Sequence, residues 1–374
     1  MSRRRIWCPI ACVIVAAACG DASAADPATI RSAVARGSTY LREHEQAADG
    51  SFAAELGPAV TALAVTALVR SGEPVDGPTV RKALDYLLSF RQPDGGINTP
   101  GSPVANYETS LALMALVACN QDGRLAAEIA AAGASLRRLQ WDDGEGKGAA
   151  DPAHGGAGYG RASRPDLSNT QFLIEALRAA GASADDPAIQ RALVFVSRTQ
   201  TLPGPHNPLP FAERNPDGGF YYTPAAGGES QAGSTSGGGL RSYGSMTYAG
   251  LKSMIFAGLT RDDPRVEAAV AWLARHYTFT ENPGMGDAGL FYYFHTAAKA
   301  LDVLGKDSFT DAAGHTHRWR DELAAAIVGR QRPDGSWANA NPRWLEDEPA
   351  LVTSYALLAL AHCLPSTPQA ALAE

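Results

Sequence analysis

Cysteine is scarce in this chain. There are five in 374 residues, and Cys8, Cys12 and Cys19 all fall within the first 24. Cys119 and Cys363 remain, too few for a disulfide framework. Both stand near the C-terminal ends of apolar runs, where a free cysteine serves as a small buried hydrophobe. Charge is scarce as well: 19% of residues are Asp, Glu, Lys or Arg, with a net −7 at neutral pH. Apart from Arg3–Arg5 there is no basic block, so the electrostatic footprint of a nucleic-acid binder is missing. A chain that is 45% hydrophobic is not a disordered one. Long apolar runs are also missing. The run Ile6–Ala18 is too short to span a bilayer as a helix, so no transmembrane segment is expected in the mature chain.

That run follows Arg3–Arg5 and precedes Ala22-Ser23-Ala24, a small-x-small cleavage site. The pattern is that of an export signal. It makes residues 1–24 a signal peptide and predicts a periplasmic or secreted protein of residues 25–374. Ala16-Ala17-Ala18-Cys19 offers the alternative of a lipoprotein box, with a lipid anchor at Cys19. Residues 1–24 carry three Arg and one Asp, so the mature chain stands at −9.

Glycine and proline, in contrast, are plentiful, with 38 and 24 residues, and they recur in a pattern. Gln46-Ala-Ala-Asp-Gly50-Ser-Phe52 is followed by Gln92-Pro-Asp-Gly-Gly96 and Gln140-Trp-Asp-Asp-Gly144. Later come Asn215-Pro-Asp-Gly-Gly-Phe220 and Gln331-Arg-Pro-Asp-Gly335-Ser-Trp337. Pro-Asp-Gly is turn chemistry: proline presets φ, aspartate caps, and glycine takes positive φ. The stretch before each turn is amphipathic, as with Val80, Leu84, Leu87 and Leu88 on one helical face. The stretch after it is apolar nearly all round, as in 59–69, 110–118, 248–258 and 351–361, which predicts burial on every side. Pro27, Pro78, Pro187 and Pro264 mark helix starts, and Gly72, Gly181, Gly258 and Gly305 mark helix ends.

The repeating unit is therefore an outer helix, a Gly-rich turn and an inner helix. It occurs six times, at about residues 28–72, 78–120, 126–181, 187–259, 264–305 and 317–365. Six such hairpins predict an all-α fold, an (α/α)6 barrel or toroid in a single domain, with an open solenoid as the alternative. Two turns are enlarged, 141–165 and 201–242. Both lead from an outer to an inner helix, which puts both long loops on one rim, where sites gather.

Gln331-x-x-x-Gly335-x-Trp337, with Gln46…Gly50-Ser-Phe52 as a near match, resembles the repeat of squalene cyclases and protein prenyltransferase β-subunits. The chain looks most like the short exported "prenyltransferase and squalene oxidase repeat" proteins of the terpenoid cyclase/prenyltransferase superfamily. The resemblance implies an α/α toroid in which the repeat glutamine satisfies free groups at a helix end, a structural role. The chemistry of the family does not carry over. The Asp-x-Asp-Asp acid of the cyclases is absent, and Glu346-Asp347-Glu348 lacks its order and reads as a solvated helix N-terminus. Phe291-Tyr-Tyr-Phe-His295-Thr296 is similar to the Tyr-His-Thr of the prenyltransferase zinc site. The Asp-x-Cys expected one repeat earlier is replaced by Tyr243-Gly244-Ser245, so no metal site and no cofactor are expected. His315-Thr-His317 reads as an exposed loop feature.

In a toroid the first turns of the inner helices ring one opening. This places Asn106 and Glu108, Asp166, Asn169 and Gln171, Tyr243 and Tyr248, Tyr293 and His295, and Asp347 around the mouth. Helix capping accounts for several of these. As a set of aromatics, amides, acids and a histidine they also have the make-up of a ligand site. His295 with Tyr243 or Tyr248 are acid/base candidates, and Glu108 is a candidate to orient or protonate. Asn106, Asp166, Asn169, Gln171, Tyr248, Tyr293 and Asp347 are ligand-binding candidates. Three functions follow. The first is a toroid whose cavity binds an isoprenoid-like or other apolar, lipid-like small molecule, with cyclase or transferase chemistry diverged or lost. The alternatives are an exported carbohydrate lyase or hydrolase and an envelope interaction module docking a partner through its Gly-rich loops.

Overall fold

The computed structural model describes residues 26–364; the export signal read at 1–24, with Cys19, lies outside them. Six amphipathic helices form the outer layer: α1 (Pro27–Tyr40), α3 (Pro78–Leu88), α5 (Ala126–Leu139), α7 (Pro187–Arg198), α10 (Pro264–Arg275) and α12 (Trp319–Val328). Six form the inner layer: α2 (Pro58–Arg70), α4 (Ala105–Cys119), α6 (Leu167–Ala179), α9 (Gly244–Phe256), α11 (Leu290–Val303) and α13 (Pro349–Ala361). A short helix, α8 (Pro210–Arg214), lies in the longest loop, and a two-residue hairpin pairs Phe309–Thr310 with Thr316–His317.

Burial follows the sequence pattern. On α3, Val80, Ala83, Leu84 and Leu87 are buried and the opposite face is wet. On α13 every residue from Ala350 to Leu360 is buried. The inner helices pack in the order α2, α4, α6, α9, α11, α13, and α13 returns to α2. The ring is closed, which excludes the open solenoid.

The turns show why the repeat exists. The Nε2 of Gln46, Gln140, Gln200 and Gln331 donates to a turn carbonyl, that of Gly50, Gly155, Gly218 and Gly335 respectively. Each also donates to a carbonyl of the next outer helix: Thr79, Ala188, Arg265 and, closing the ring, Ala33. Two residues after the turn glycine, the backbone N–H of Phe52, Ala157, Phe220 or Trp337 donates to a threonine hydroxyl of the following inner helix, Thr61, Thr170, Thr247 or Thr353. One side chain thus ties each turn to its neighbour, and one hydroxyl ties it to its own inner helix.

This geometry corrects two pairings. Spacing along the chain matches Gln140 with Gly144 and puts Asn215 in the glutamine's place. In the structure the partner of Gln140 is Gly155, and Gln200 reaches Gly218. Both insertions therefore open inside the motif, between glutamine and glycine, and the motif closes across them. Gly155 is fixed sterically: its φ is +82°, and a Cβ there would stand 1.8 Å from the Arg191 carbonyl oxygen of α7.

Cys119 and Cys363 are both free and buried. Burial pushes the Cys119 thiol up to about 12, which makes it an inert apolar group. His315 is exposed, but His317 is half-buried and held between Asp311 and Glu322. No helix among the described residues is long and apolar enough to cross a membrane.

Candidate functional site at the mouth and lumen of the toroid

Four aromatic side chains from four inner helices cross the lumen and meet. Tyr107 of α4 packs on Phe172 of α6 with ring centroids 5.3 Å apart, and Phe172 on Tyr292 of α11 at 6.2 Å. Tyr292 packs on Tyr355 of α13 at 6.0 Å, and the Tyr355 hydroxyl returns to the Tyr107 hydroxyl at 3.1 Å. The circuit is braced by Ser168, 3.0 Å from the Tyr292 hydroxyl, and by the Gln171 amide, which donates to the same oxygen at 3.3 Å. Burial raises the Tyr107 hydroxyl to about 12 and pushes Tyr292 and Tyr355 up as well. All three stay neutral, so the circuit is an apolar partition with hydroxyl edges.

Above it lies the mouth. Asp166 is buried and caps α6, accepting from the Asn169 backbone N–H and side-chain amide, each at 2.8 Å. Burial raises its carboxyl to about 6, against the hydrogen bonds from Asn169 and Tyr222. Tyr222 in turn hydrogen-bonds Tyr159. Tyr243, at the N-terminus of α9, is buried, and its hydroxyl is pushed up by burial and by Tyr292 and Asp166. The rim is completed by Arg343, whose guanidinium lies 4.2 Å from the Trp344 ring centroid and donates to Gln231 at 2.7 Å. Trp344 and its neighbour Leu345 are exposed and both take positive φ, 59° and 63°, a strained pair for side chains of this size.

Below the circuit the lumen becomes charged. Lys252 of α9 is fully buried and donates to Glu175 of α6. Burial alone would raise Glu175, but Lys252 and Lys299 outweigh it and hold the carboxyl at about 2. His295 stacks on Tyr355 at 5.4 Å. Its Nδ1 is buried without a hydrogen-bond partner, and burial drives its pKa to about 3, so it is neutral. Two turns further on, His362 Nδ1 lies 2.9 Å from Asp302, which also accepts from Arg320 at 2.6 Å. Burial holds His362 at about 4.

The candidates from the sequence divide. Asp166, Asn169 and Tyr243 stand at the mouth, and Gln171 braces the circuit. Asn106 is spent on structure, donating to the Gly158 and Asn169 carbonyls. Glu108 is buried and accepts from the Thr99 N–H and hydroxyl, so it anchors its own turn; burial raises its carboxyl. Tyr248 and Tyr293 pack on each other at 5.7 Å, and Tyr293 donates to the Thr278 carbonyl. They bind α9 to α11 toward the outer layer. His295 keeps company with Tyr355, Glu175 and Lys252 rather than with the tyrosines at 243 and 248, which corrects that pairing. Asp347 is exposed and is not part of the cluster. Its neighbour Glu346 is the buried acid, accepting from the Tyr292 N–H at 2.8 Å and the Asn339 amide at 2.7 Å. The acidic triplet is thus solvated only in part.

Phe172, Glu175 and Lys252 escaped the sequence reading. Lys252 is the lone charge inside the apolar helix α9, which was its signal. Among the described residues, no group of three or more His, Cys, Asp and Glu side chains has the arrangement of a metal site.

Residues 57–221 match the family model of the squalene-hopene cyclase C-terminal domain. Among solved structures, the chain is similar to the apo form of the type II terpene cyclase MstE from Scytonema, with a TM-score of 0.53 at 16% identity. That match covers 93% of this chain and 100% of the other. It is also similar to a protein from Actinoplanes (TM-score 0.51, 17% identity, 89% and 98% covered). A variant of MstE in complex with its substrate, geranylgeranyl dihydroxybenzoate, gives a TM-score of 0.50 at 14% identity, with 90% and 97% covered. The fold is that of the terpenoid cyclase-like α/α toroids.

Proposed function

We propose that this toroid is an exported protein that binds an isoprenoid-like, apolar small molecule, with chemistry diverged from that of the cyclases it resembles. The observation that carries the reading is the Tyr107–Phe172–Tyr292–Tyr355 circuit beneath a mouth lined by Tyr159, Tyr222 and Tyr243. Aromatic faces with a few hydroxyl edges suit a hydrocarbon bearing one polar end. The fold likeness to a cyclase solved with a geranylgeranyl substrate adds weight.

Divergence is argued from the lumen itself. Cyclisation by protonation passes through carbocations, which buried ammonium groups destabilise. At an effective dielectric of about 20, a positive charge roughly 8 Å away costs about 2 kcal/mol. Lys252 of α9, fully buried and held by Glu175 of α6, puts such a group among the inner helices. A second reading, acid chemistry at the mouth alone, is favoured by Asp166, whose carboxyl at about 6 holds a proton in mildly acidic solution.

Native mass spectrometry with lipid extraction of the protein purified from its own envelope tests the first reading. A co-purifying isoprenoid supports it; an empty protein that binds oligosaccharide overturns it. Incubation with geranylgeranyl dihydroxybenzoate tests the second. Conversion that Asp166→Asn abolishes supports acid chemistry; unchanged substrate overturns it.

A further inference from the structure

Four side chains link opposite sides of the mouth. Arg164, two residues before the α6 cap Asp166, pairs with Glu229. Glu229 accepts from the Gln231 amide N–H at 2.7 Å. The Gln231 side-chain oxygen accepts from Arg343, in the turn before α13, also at 2.7 Å. In the ring of inner helices α6 and α13 stand opposite one another, so the middle of the long loop 201–242 reaches both sides of the opening. Arg343 is also close enough to Tyr243 to act on its hydroxyl electrostatically. The two ends of the link therefore flank Asp166 and Tyr243, each only 2% exposed.

The segment that carries Glu229 and Gln231 is set between two glycine-rich feet. Gly227-Gly228 precede it and Gly237-Gly238-Gly239 follow it. Gly227, Gly228 and Gly238 take positive φ, 91°, 81° and 74°, a region open to glycine at little cost and suited to a hinge. Backbone pairs close the segment on itself, Thr223 with Glu229 and Ser234 with Leu240. The Thr223 hydroxyl fixes its near end by donating to the Pro165 carbonyl at 2.6 Å. On the far side, Trp344 lies against the start of α11: a Cβ on Gly289 would stand 3.0 Å from its ring. Four non-glycine residues among those described have positive φ. Three of them, Ala226, Trp344 and Leu345, sit beside a hinge or next to Arg343. Strain of this kind persists only where surrounding contacts hold it, and it collects at clamps and switches.

We propose that residues 229–236 form a lid on the mouth, latched by Arg164 to Glu229 and by Arg343 to Gln231, which opens about the two glycine feet to admit a ligand to Asp166 and Tyr243. The lid serves whatever the mouth takes, so it goes beyond the reading of an apolar ligand and stands or falls apart from it. Half of the latch is an ion pair at the surface, so salt loosens it.

Two measurements on the full chain test it, neither of which needs a ligand. The first is hydrogen exchange of the 229–236 amides. The second is labelling of the Asp166 carboxyl by a water-soluble carbodiimide with glycine ethyl ester, read by mass spectrometry. In the double variant Glu229→Ala/Arg343→Ala the lid amides should exchange about tenfold faster, with α6 and α9 unchanged, and Asp166 should be labelled faster in proportion. Raising salt from about 0.05 M to about 1 M should do the same to the unaltered protein, to a smaller extent. Lid exchange that neither the variant nor salt changes overturns the latch. Faster lid exchange with Asp166 labelled no faster overturns the lid. Equal acceleration in α6 and α9 overturns it too, since the two residues would then brace the whole toroid.

Discussion

The Gln331 side-chain amide donates to the Ala33 carbonyl at 2.9 Å across 298 residues of sequence. It also donates to Gly335 at 2.9 Å. It is the same two-way bond that Gln46, Gln140 and Gln200 make from one hairpin to the next, used here to close the last hairpin on the first. Replacing Gln331 by Leu removes a donor from two carbonyls, at a cost of about 1–3 kcal/mol. Because the loss falls at the ring closure, amide exchange should accelerate first in α1 and α12. Uniform acceleration around the ring would show that the seam is no weaker than the other joints.

Gly155 and Gly72 form a matched pair. Both have positive φ, +82° and +98°, but a Cβ on Gly72 meets nothing within 4 Å, whereas on Gly155 it meets the Arg191 carbonyl. Gly72→Ala therefore tests strain alone, about 1 kcal/mol. Gly155→Ala adds a clash with backbone and should cost more than about 3 kcal/mol. Thermal melts of the two variants decide it; equal shifts would mean that α7 yields easily.

These positions also show what could be read in advance. The alternation of amphipathic and all-apolar helices fixes six hairpins, because burial leaves its period in the sequence whatever the loops do. Where glutamine and glycine lie close, as in Gln331 and Gly335, the joint is legible too. Where an insertion parts them, as with Gln140 and Gly155 or Gln200 and Gly218, spacing misleads, since the bond is set in space and the intervening loop is free to bulge. The site was legible only as a ring of helix starts. Tyr107 and Tyr292 stand in the first turns of α4 and α11 and Tyr355 midway along α13, but which of their neighbours face inward depends on helix rotation, and that is decided by packing. Glu346 and Asp347 are neighbours in the turn before α13, yet Glu346 is buried and Asp347 is in water.

The Lys252–Glu175 pair gives a third test. Removing one partner strands a buried charge, which costs about 3–5 kcal/mol. Lys252→Met should therefore destabilise strongly. Lys252→Met combined with Glu175→Gln should recover most of the loss, because neither charge is left alone. Denaturant melts of the single and double variants form the cycle. A double variant as unstable as Lys252→Met would mean that the lysine acts through packing, not through its partner.

The response to acid follows from three buried groups of opposite sign. His295 and His362 have folded-state pKa values of about 3 and about 4, below the ordinary 6.5. Their contribution to stability is full above pH 6.5 and is lost as pH falls toward those values. Asp166, raised from 3.8 to about 6, behaves oppositely: its contribution is full below pH 3.8 and is lost as pH rises through 6. Each group changes stability by about 1.4 kcal/mol per pH unit inside its window. Between pH 4 and 6 two histidines act against one aspartate, so acidification destabilises on balance. Asp166→Asn keeps the helix cap and removes the opposing group, so the dependence should steepen. His295→Gln removes one of the two histidines, so it should flatten. Urea melts at pH 4.5, 5.5 and 6.5 measure both slopes, and a steeper slope in His295→Gln than in Asp166→Asn would mean that His295 is protonated in the folded lumen.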